Sequence, residues 1–324
     1  SYECYEAGSE WKAYRQFCEC FLNPLLLAAY CKQPVHRSWQ AWPNGIPASV
    51  TASLLPFSTR LNLHLFLHVH LQARVTASAP AKHNTNRKLS RQKLLEIIES
   101  LHQSIKRLPV PKSGSSWNHY YDQTILSAAY LQSKHTLVQK LLDDLQYKTV
   151  LDAGTNEGYF ATRCRTDAFV VALDADEGCI NSLYQQVKQQ QLQQVLPLVA
   201  DLMHPSPAMG FANSEQPALL ARSSFDLCLA LALVHHLCIG KNLPLHRLAQ
   251  LMAQICTQLI IEFVPKEDPK VQEMLRNRTD IFPNYNQPAF EAAFLPLFNI
   301  EQQFAIENSN RILYIMKKRE ETQV

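Results

Sequence analysis

Glycine is scarce in this chain of 324 residues, which contains 8 glycines beside 18 prolines. The formal net charge is only +3, too small for a broad basic surface that would attract nucleic acid. No run of about 18 apolar residues occurs, and no basic segment followed by an apolar one opens the chain. We therefore expect a cytoplasmic protein without a membrane span, for which nucleic acid is a disfavoured partner.

The nine cysteines lack the spacing of a disulfide framework or a zinc site. Their number is odd, and the one close pair, Cys18 and Cys20, has no second pair at zinc-binding spacing. Most of the others lie within apolar runs, where a free thiol behaves as a small hydrophobic residue. We expect free thiols in a reducing compartment and no metal site.

Residues 1–110 form the first of two predicted regions, and their pattern is mostly helical. Apolar residues recur at helical spacing over 11–31, where Pro24 is expected to kink or divide the helix. A polar, aperiodic stretch at 77–88 is typical of a linker. Ser90 then has the position of an N-cap for another helix. Because the chain does not begin with Met, we expect an upstream segment to precede it.

The stretch 58–74 is compatible with two structures. Its leucines alternate as in a strand, with His64 and His68 on the opposite face, whereas a helix would put these two histidines one turn apart. Either geometry could attract a metal ion, but no acidic or cysteine ligand lies nearby. Histidines that face solvent on a packed element are the preferred interpretation.

Residues 111–324 form the second predicted region, with short apolar runs that alternate with longer segments. The first five runs have the spacing of βαβ units in a parallel sheet. The last two are too close for a crossover, so they must pair antiparallel. We predict an α/β fold with five parallel strands and a C-terminal antiparallel hairpin. The runs are Thr149–Ala153, Phe169–Leu173, Val195–Ala200, Phe225–Leu233, Leu259–Val264, Phe298–Ala305 and Ile312–Met316.

The strongest functional signal is the loop DAGTNEG at 152–158, which has the pattern D-x-G-x-x-x-G. Gly154 permits a tight turn and the close approach of a ligand. Gly158 is expected to open a helix whose free N–H groups face that ligand. The G-x-G-x-x-G pattern of nicotinamide enzymes is absent, which argues against NAD.

Acidic residues also end the second and third predicted strands. Asp174 can accept hydrogen bonds from two ribose hydroxyls, and Asp176 is expected to cap the next helix. Asp201 can accept a hydrogen bond from the exocyclic amino group of adenine. Open α/β sheets bind ligands at the carboxyl ends of their strands, so these acids predict a nucleoside-containing ligand.

This series resembles that of class I S-adenosylmethionine (SAM)-dependent methyltransferases, which share a Rossmann-like fold. More narrowly, the chain resembles a bacterial group of nodulation-protein-type methyltransferases. Longer relatives in that group carry an upstream region. The segments that carry the narrower resemblance are GSEWKAYRQFC at 8–18, Trp117 with Tyr120 and Tyr121, LALALVHHL at 229–237, IIEFVPKED at 260–268, RTDIFPNY at 278–285 and SNRILY at 309–314.

The resemblance implies that SAM is the cofactor and assigns residues to each part of it. The polar residues and glycines of the first loop are implied to hold the methionine part, and the later acids the ribose and the adenine. The assignments are Asp152, Gly154, Asn156 and Gly158 for methionine, Asp174 for ribose, Asp201 with Leu202 for adenine, and Ala230 for the pocket floor.

Three residues are candidates for removing a proton from the methyl acceptor. His235 and His236 follow the fourth strand, where the acceptor must approach, although they could instead order the loop. Glu262 ends the fifth strand and is another candidate base. Its alternative role is a salt bridge with Lys266 or Arg278. Methyl transfer from a sulfonium needs mainly in-line positioning, so a base is not required in every case.

We expect the chain to methylate a small molecule, a sugar or a lipid-linked acceptor. The alternatives are an RNA or protein methyltransferase that uses residues 1–110 as a reader, and a SAM-binding module without catalysis. The fourth strand lacks the Asn/Asp-Pro-Pro-aromatic tetrad that grips a planar amine, which disfavours base methylation. The intact acids disfavour loss of catalysis. Tyr121 either covers the cofactor or packs in the core.

Overall fold

The computed structural model describes residue 11 and residues 13–77, 89–109, 127–276 and 278–320. The chain divides into two compact units, Ser1–Lys112 and Ser113–Val324. Most of the predicted linker at 77–88, and Tyr121, lie outside the described residues. Within these ranges every cysteine is a free thiol. No helix in the described part of the chain is both long enough and apolar enough to cross a membrane.

The first unit is helical, as predicted. A π-helical turn, Cys18–Leu22, joins its first two helices, and Pro24 follows in the first turn of the second. Proline is tolerated in a first helical turn, so the element is divided just before it. Ser90 is confirmed as an N-cap, since its side chain accepts a hydrogen bond from the backbone N–H of Lys93. The helices are α1 (Tyr14–Phe17), α2 (Asn23–Cys31), α3 (Val35–Ala41), α4 (Ala48–Leu54), α5 (Leu63–Leu65), α6 (Leu71–Ala77) and α7 (Arg91–Lys106).

The ambiguous stretch 58–74 is helical. A 3-10 helix, Phe57–Leu61, precedes α5, and a π-helix, Phe66–His70, joins α5 to α6. The expectation that all its histidines face solvent is wrong, because His68 is buried. His64 and His68 each form a 2.8 Å hydrogen bond with the Ser100 hydroxyl. Among the described residues no group of three or more metal-ligating side chains is present.

The second unit contains one seven-stranded sheet with the order β3-β2-β1-β4-β5-β7-β6. Strands β1 to β5 pair in parallel, and β7 pairs antiparallel with both β5 and β6. Both parts of the predicted architecture are therefore confirmed. The strands are β1 (Thr149–Ala153), β2 (Phe169–Asp174), β3 (Val195–Val199), β4 (Phe225–Ala230), β5 (Cys256–Phe263), β6 (Phe298–Ala305) and β7 (Ile312–Lys318).

The central strands are apolar because both faces of the sheet are covered. Alternate residues of β1 belong to different cores, Val150 to one and Leu151 to the other. Helix α8 packs on the first side through Val138, and α11 packs on the second through Met252. The remaining helices are α8 (Ala128–Asp144), α9 (Glu177–Gln190), α10 (Leu219–Arg222), α11 (Leu245–Ile255), α12 (Pro269–Leu275) and α13 (Gln287–Phe294).

The connection from β1 to β2 differs from the prediction. Gly158 does not open an α-helix; it lies in a turn with φ +79°, and only a 3-10 helix, Ala161–Arg163, follows. A residue with positive φ cannot continue a right-handed helix. A Cβ at Gly158 would lie 2.3 Å from the Leu183 Cδ1 atom, so a larger residue would be strained at this positive φ and would displace the Leu183 side chain.

Candidate active site

A pocket of about 370 Å³ lies at the carboxyl ends of the parallel strands. It opens beside β1, where the strand order reverses, the position at which open α/β sheets bind ligands. Several predicted cofactor residues line it together with others that the sequence did not indicate. The lining residues are Lys134, Gly154, Asn156, Leu173, Asp174, Ala175, Ala200, Asp201, Leu202, Leu231, Ala232, Leu233, His236, Leu237, Gly240 and Lys241.

The turn after β1 forms one wall of this pocket. Gly154 has φ +75°, and a Cβ added there would lie 3.1 Å from the Leu233 Cδ1 atom. A larger residue would therefore be strained and would crowd the pocket. Asn156 also has a positive φ, of 54°, and its backbone N–H donates to the Asp174 Oδ2 atom over 2.9 Å. This hydrogen bond holds the turn against the acid at the end of β2.

Three residues assigned to the cofactor do not line the pocket. Asp152 is buried beneath the turn, where its Oδ2 atom accepts a 2.6 Å hydrogen bond from the Thr155 hydroxyl. Burial raises the pKa of Asp152 to about 6. Gly158 lies in the following turn, and Ala230 is buried within β4. Asp152 therefore stabilises the turn from within the fold, and the residues that follow Ala230, Leu231 to Leu233, line the pocket.

The two acids after β2 and β3 line the pocket at neighbouring strand ends. Asp174 accepts backbone hydrogen bonds from Asn156 and Asp176, and burial raises the pKa of its carboxyl. Asp176 is confirmed as the cap of α9. Burial alone would raise the pKa of Asp201, but hydrogen bonds from Met203 N–H and the His204 ring outweigh it and lower that pKa.

The two adjacent histidines, His235 and His236, have different surroundings. His236 lines the pocket, whereas His235 has no exposed surface and does not line it. Neither ring nitrogen of His235 has a hydrogen-bond partner among the described residues. Burial, followed by the nearby charges of Arg311 and Lys270, lowers the pKa of His236 to about 4. Burial also lowers the pKa of His235 well below its usual value, so both imidazoles are neutral near pH 7.

Glu262 is fully buried and bonded through both carboxylate oxygens. Its Oε1 atom accepts from the Tyr130 hydroxyl over 2.7 Å and from Arg311 Nη1 over 3.2 Å. Its Oε2 atom accepts from Lys134 Nζ over 2.6 Å and from Ala232 N–H over 2.8 Å. Burial alone would raise the pKa of Glu262, but the two cations outweigh it and lower that pKa to about 2.

The ion-pair partners suggested by the sequence for Glu262 are wrong. Lys266 pairs with Asp280 over 2.7 Å, and Arg278 donates to the backbone carbonyl of Ile239. Both residues are close to Glu262 in sequence, but the strand carries its side chain into the interior. Its side-chain partners lie on α8 and at Arg311, just before β7, so only the tertiary fold brings them together.

Arg311 completes a buried, charge-balanced cluster. Its guanidinium binds both carboxylate oxygens of Asp268, at 2.7 and 3.0 Å, and donates to the Tyr130 hydroxyl at 2.9 Å. Asp268 also caps α12. Sequence reasoning missed this cluster and the pocket residue Lys134. Arg311 and Asp268 do lie in the resemblance segments SNRILY and IIEFVPKED, which is the signal that could have indicated them.

The pocket residues fit SAM. Asp174 and Asp201 provide acceptors for ribose hydroxyls and an adenine amino group, and the apolar side chains of Leu173 and Leu202 can flank a ring. Gly154 leaves room for close approach of the ligand. When bound, the cofactor supplies an electrophilic methyl group on a sulfonium. The strand order, the glycine turn and the two acids together define a class I SAM-dependent methyltransferase.

The chain belongs to the family of the nodulation protein NoeA. It is 30% identical to NoeA of Rhizobium meliloti (strain 1021) over 325 residues, which cover 98% of this chain and 68% of the relative. No protein-family model matches the chain.

Solved methyltransferase structures also resemble the chain. The N-methyltransferase NodS from Bradyrhizobium japonicum WM9, in complex with S-adenosyl-l-homocysteine, is 12% identical with a TM-score of 0.45; the match covers 67% of this chain and 98% of NodS. The bifunctional kinase-methyltransferase WbdD is 16% identical with a TM-score of 0.38, and 58% of this chain is covered. The chain spans only 38% of the length of WbdD.

Proposed function

We propose that this chain transfers the methyl group of SAM to a small molecule, a sugar or a lipid-linked acceptor. The observation that carries the methyl-transfer part of the proposal is the position of the His236 imidazole on the pocket wall; burial lowers its pKa, so the ring is neutral near pH 7. A neutral imidazole can accept a hydrogen bond from an acceptor hydroxyl and receive its proton as the methyl group moves. His236 is therefore the proposed catalytic residue.

The other two candidates have surroundings that do not suit a base. His235 is buried away from the pocket. Glu262 does not line the pocket, and both oxygens of its carboxylate already accept hydrogen bonds from protein groups. We assign Glu262 a positioning role, because it holds Lys134 and the backbone of Ala232 at the pocket wall.

RNA or protein methylation is the second candidate function. Enzymes that methylate base amino groups carry an Asn/Asp-Pro-Pro-aromatic tetrad after the fourth strand. This chain has Leu231, Ala232 and Leu233 at that place, so no side-chain carboxylate or amide is present there to bind a planar amine. The net charge of +3 also disfavours a nucleic-acid substrate. A SAM-binding module without catalysis is disfavoured because Asp174 and Asp201 still line the pocket.

Incubation with isotopically labelled SAM tests the acceptor class. A cell extract is treated with the chain, and label is measured by mass spectrometry in the small-molecule, lipid, RNA and protein fractions. We expect label in the small-molecule or lipid fraction, and none with the Asp174→Ala variant. Label confined to RNA or protein would favour the second function, and no label in any fraction would overturn the proposal.

Calorimetry tests the cofactor independently of the acceptor. We expect micromolar-range binding of SAM and S-adenosylhomocysteine and no measurable binding of NAD. Tighter binding of NAD than of SAM would refute this interpretation of the pocket.

A further inference from the structure

We propose that the first unit binds the surface of an anionic phospholipid bilayer. The contact is made by an exposed apolar surface, defined by the side chains of Leu54, Phe57, Leu61, Leu63 and Leu67. It is peripheral, because side chains on so short a stretch enter only the headgroup region and the upper acyl chains. The inference is independent of the proposed methyl transfer, since none of these residues lines the pocket.

The stretch that carries the apolar surface has one buried side and one exposed side. Thr59 is buried, and Leu65 packs in the core of the first unit. The side chains between and beside them point outward: Phe57 is 69% exposed, Leu61 80% and Leu63 66%. A single exposed leucine needs no explanation, but the members of this surface all lie within residues 54–67. Soluble monomers rarely leave such a group in water, so the surface indicates a binding partner.

The charge around this surface has one sign. Although 28 of the 324 residues are acidic, none lies between Glu19 and Glu96. Arg60 lies over the Phe57 ring, with 5.4 Å between its guanidinium carbon and the ring centroid, so a positive charge borders the apolar surface directly. The lysines and arginines in the described part of this acid-free stretch are all exposed, and they are Lys32, Arg37, Arg60, Arg74, Arg91 and Lys93.

Apolar side chains beside arginines complement an anionic bilayer. Its headgroups attract the cations, and leucine and phenylalanine side chains gain free energy when they leave water for the acyl boundary. A second copy of the chain fits less well, because two acid-free surfaces would bring like charges together with no carboxylate between them. RNA also fits less well, because contacts with its phosphates leave aliphatic side chains without an apolar partner.

Co-sedimentation of the full chain with lipid vesicles tests the proposal. We expect binding to vesicles of phosphatidylglycerol and phosphatidylcholine, and at least about fivefold weaker binding to phosphatidylcholine alone. Leu61→Asn should weaken binding to the anionic vesicles about tenfold, because it removes a side chain that enters the bilayer. Leu295→Asn is the matched control, since Leu295 is an exposed leucine of the second unit and its replacement should leave binding unchanged.

A second pair of variants separates charge from apolar contact. Arg60→Gln should weaken binding to the anionic vesicles about fivefold and change binding to phosphatidylcholine less than about twofold. Arg222→Gln, at an exposed arginine of the second unit, is its control and should change neither. Higher salt should reduce the binding of the unaltered chain without abolishing it, because the apolar contact is not screened.

Several results would overturn the proposal. One is the absence of co-sedimentation with anionic vesicles, and another is an equal effect of Leu61→Asn and Leu295→Asn. Binding that disappears at high salt and is insensitive to Leu61→Asn would show attraction by charge alone.

Two results would assign the surface to another partner and so overturn the proposal. A dimer in analytical ultracentrifugation that Leu61→Asn dissociates, without vesicle binding, would identify a second copy. Binding of RNA that Arg60→Gln weakens, again without vesicle binding, would identify a nucleic acid. The melting temperature of each variant checks its fold, and Leu63→Asn repeats the test should Leu61→Asn not fold.

Discussion

Replacement of His236 by glutamine tests whether its imidazole accepts the acceptor proton. Glutamine keeps a polar side chain of similar size but cannot take up a proton at neutral pH. We expect turnover to fall by about a hundredfold or more, the usual contribution of a positioned base. Affinity for SAM should remain nearly unchanged, because the lost interaction belongs to the transition state.

The pH dependence of turnover follows from the burial of His236. An ordinary imidazole, with a pKa of 6.5, would place the acidic limb of the profile near pH 6.5, but burial lowers the pKa of His236 to about 4. At pH 5.5 a group with a pKa of about 4 is still mostly neutral, whereas an ordinary imidazole is mostly protonated. The unaltered enzyme should therefore lose little activity between pH 7 and pH 5.5, where an exposed base would lose about tenfold.

The assay requires the acceptor found by labelling, and the protein must remain folded over the pH range, which circular dichroism checks. His246→Gln is the matched control, because His246 is exposed on α11 and should behave like the unaltered chain. His235→Gln should instead lower the melting temperature, since it changes a buried side chain. Unchanged turnover in His236→Gln, or an acidic limb near pH 6.5 in the unaltered enzyme, would refute the reasoning.

Four further predictions concern the pocket and its support. Asp174→Ala should cost about 1.5–3 kcal/mol of cofactor affinity by calorimetry, and an unaltered dissociation constant would mean that the ribose lies elsewhere. Gly154→Val should abolish binding in the same measurement, because a side chain is strained and crowded at that φ; wild-type affinity would show that the pocket is misplaced. Glu262→Gln should destabilise the fold by about 3–5 kcal/mol in denaturant titration, as for other broken buried ion pairs, whereas a change below about 1 kcal/mol would exclude a strong network. Burial lowers the pKa values of His135 and His236 to about 4 in the folded chain, so these two groups bind more protons in the unfolded chain between pH 6.5 and 4. Asp152, whose pKa burial raises to about 6, has the opposite effect, but the two histidines outnumber it, so the unfolding free energy should fall as pH drops through that range; an unfolding free energy that rises instead would contradict the burial of the histidines.

Much of the architecture follows from the sequence alone. The strands of a covered parallel sheet are continuous apolar runs, and their length and spacing are local properties. The segment between the last two runs is too short for a crossover connection, so the sequence predicts the antiparallel pairing that the structure contains. The N-cap roles of Ser90 and Asp176 were also predictable, because a cap acts on backbone N–H groups only two or three residues away.

The composition of the site was decided by the tertiary structure. Lys134 lies 128 residues before Glu262, and Arg311 lies 49 residues after it, so no local pattern indicates that they are partners.

His235 and His236 are adjacent and chemically identical, but consecutive residues of a helical turn point in different directions, and only His236 reaches the pocket. Asp152 was indistinguishable in sequence from Asp174, because each ends or adjoins a strand end. Side chains alternate between the two faces of a strand and change direction at its end. The packing around β1 and β2 sets the direction of each side chain. As a result Asp174 lines the pocket, and Asp152 is buried beneath it.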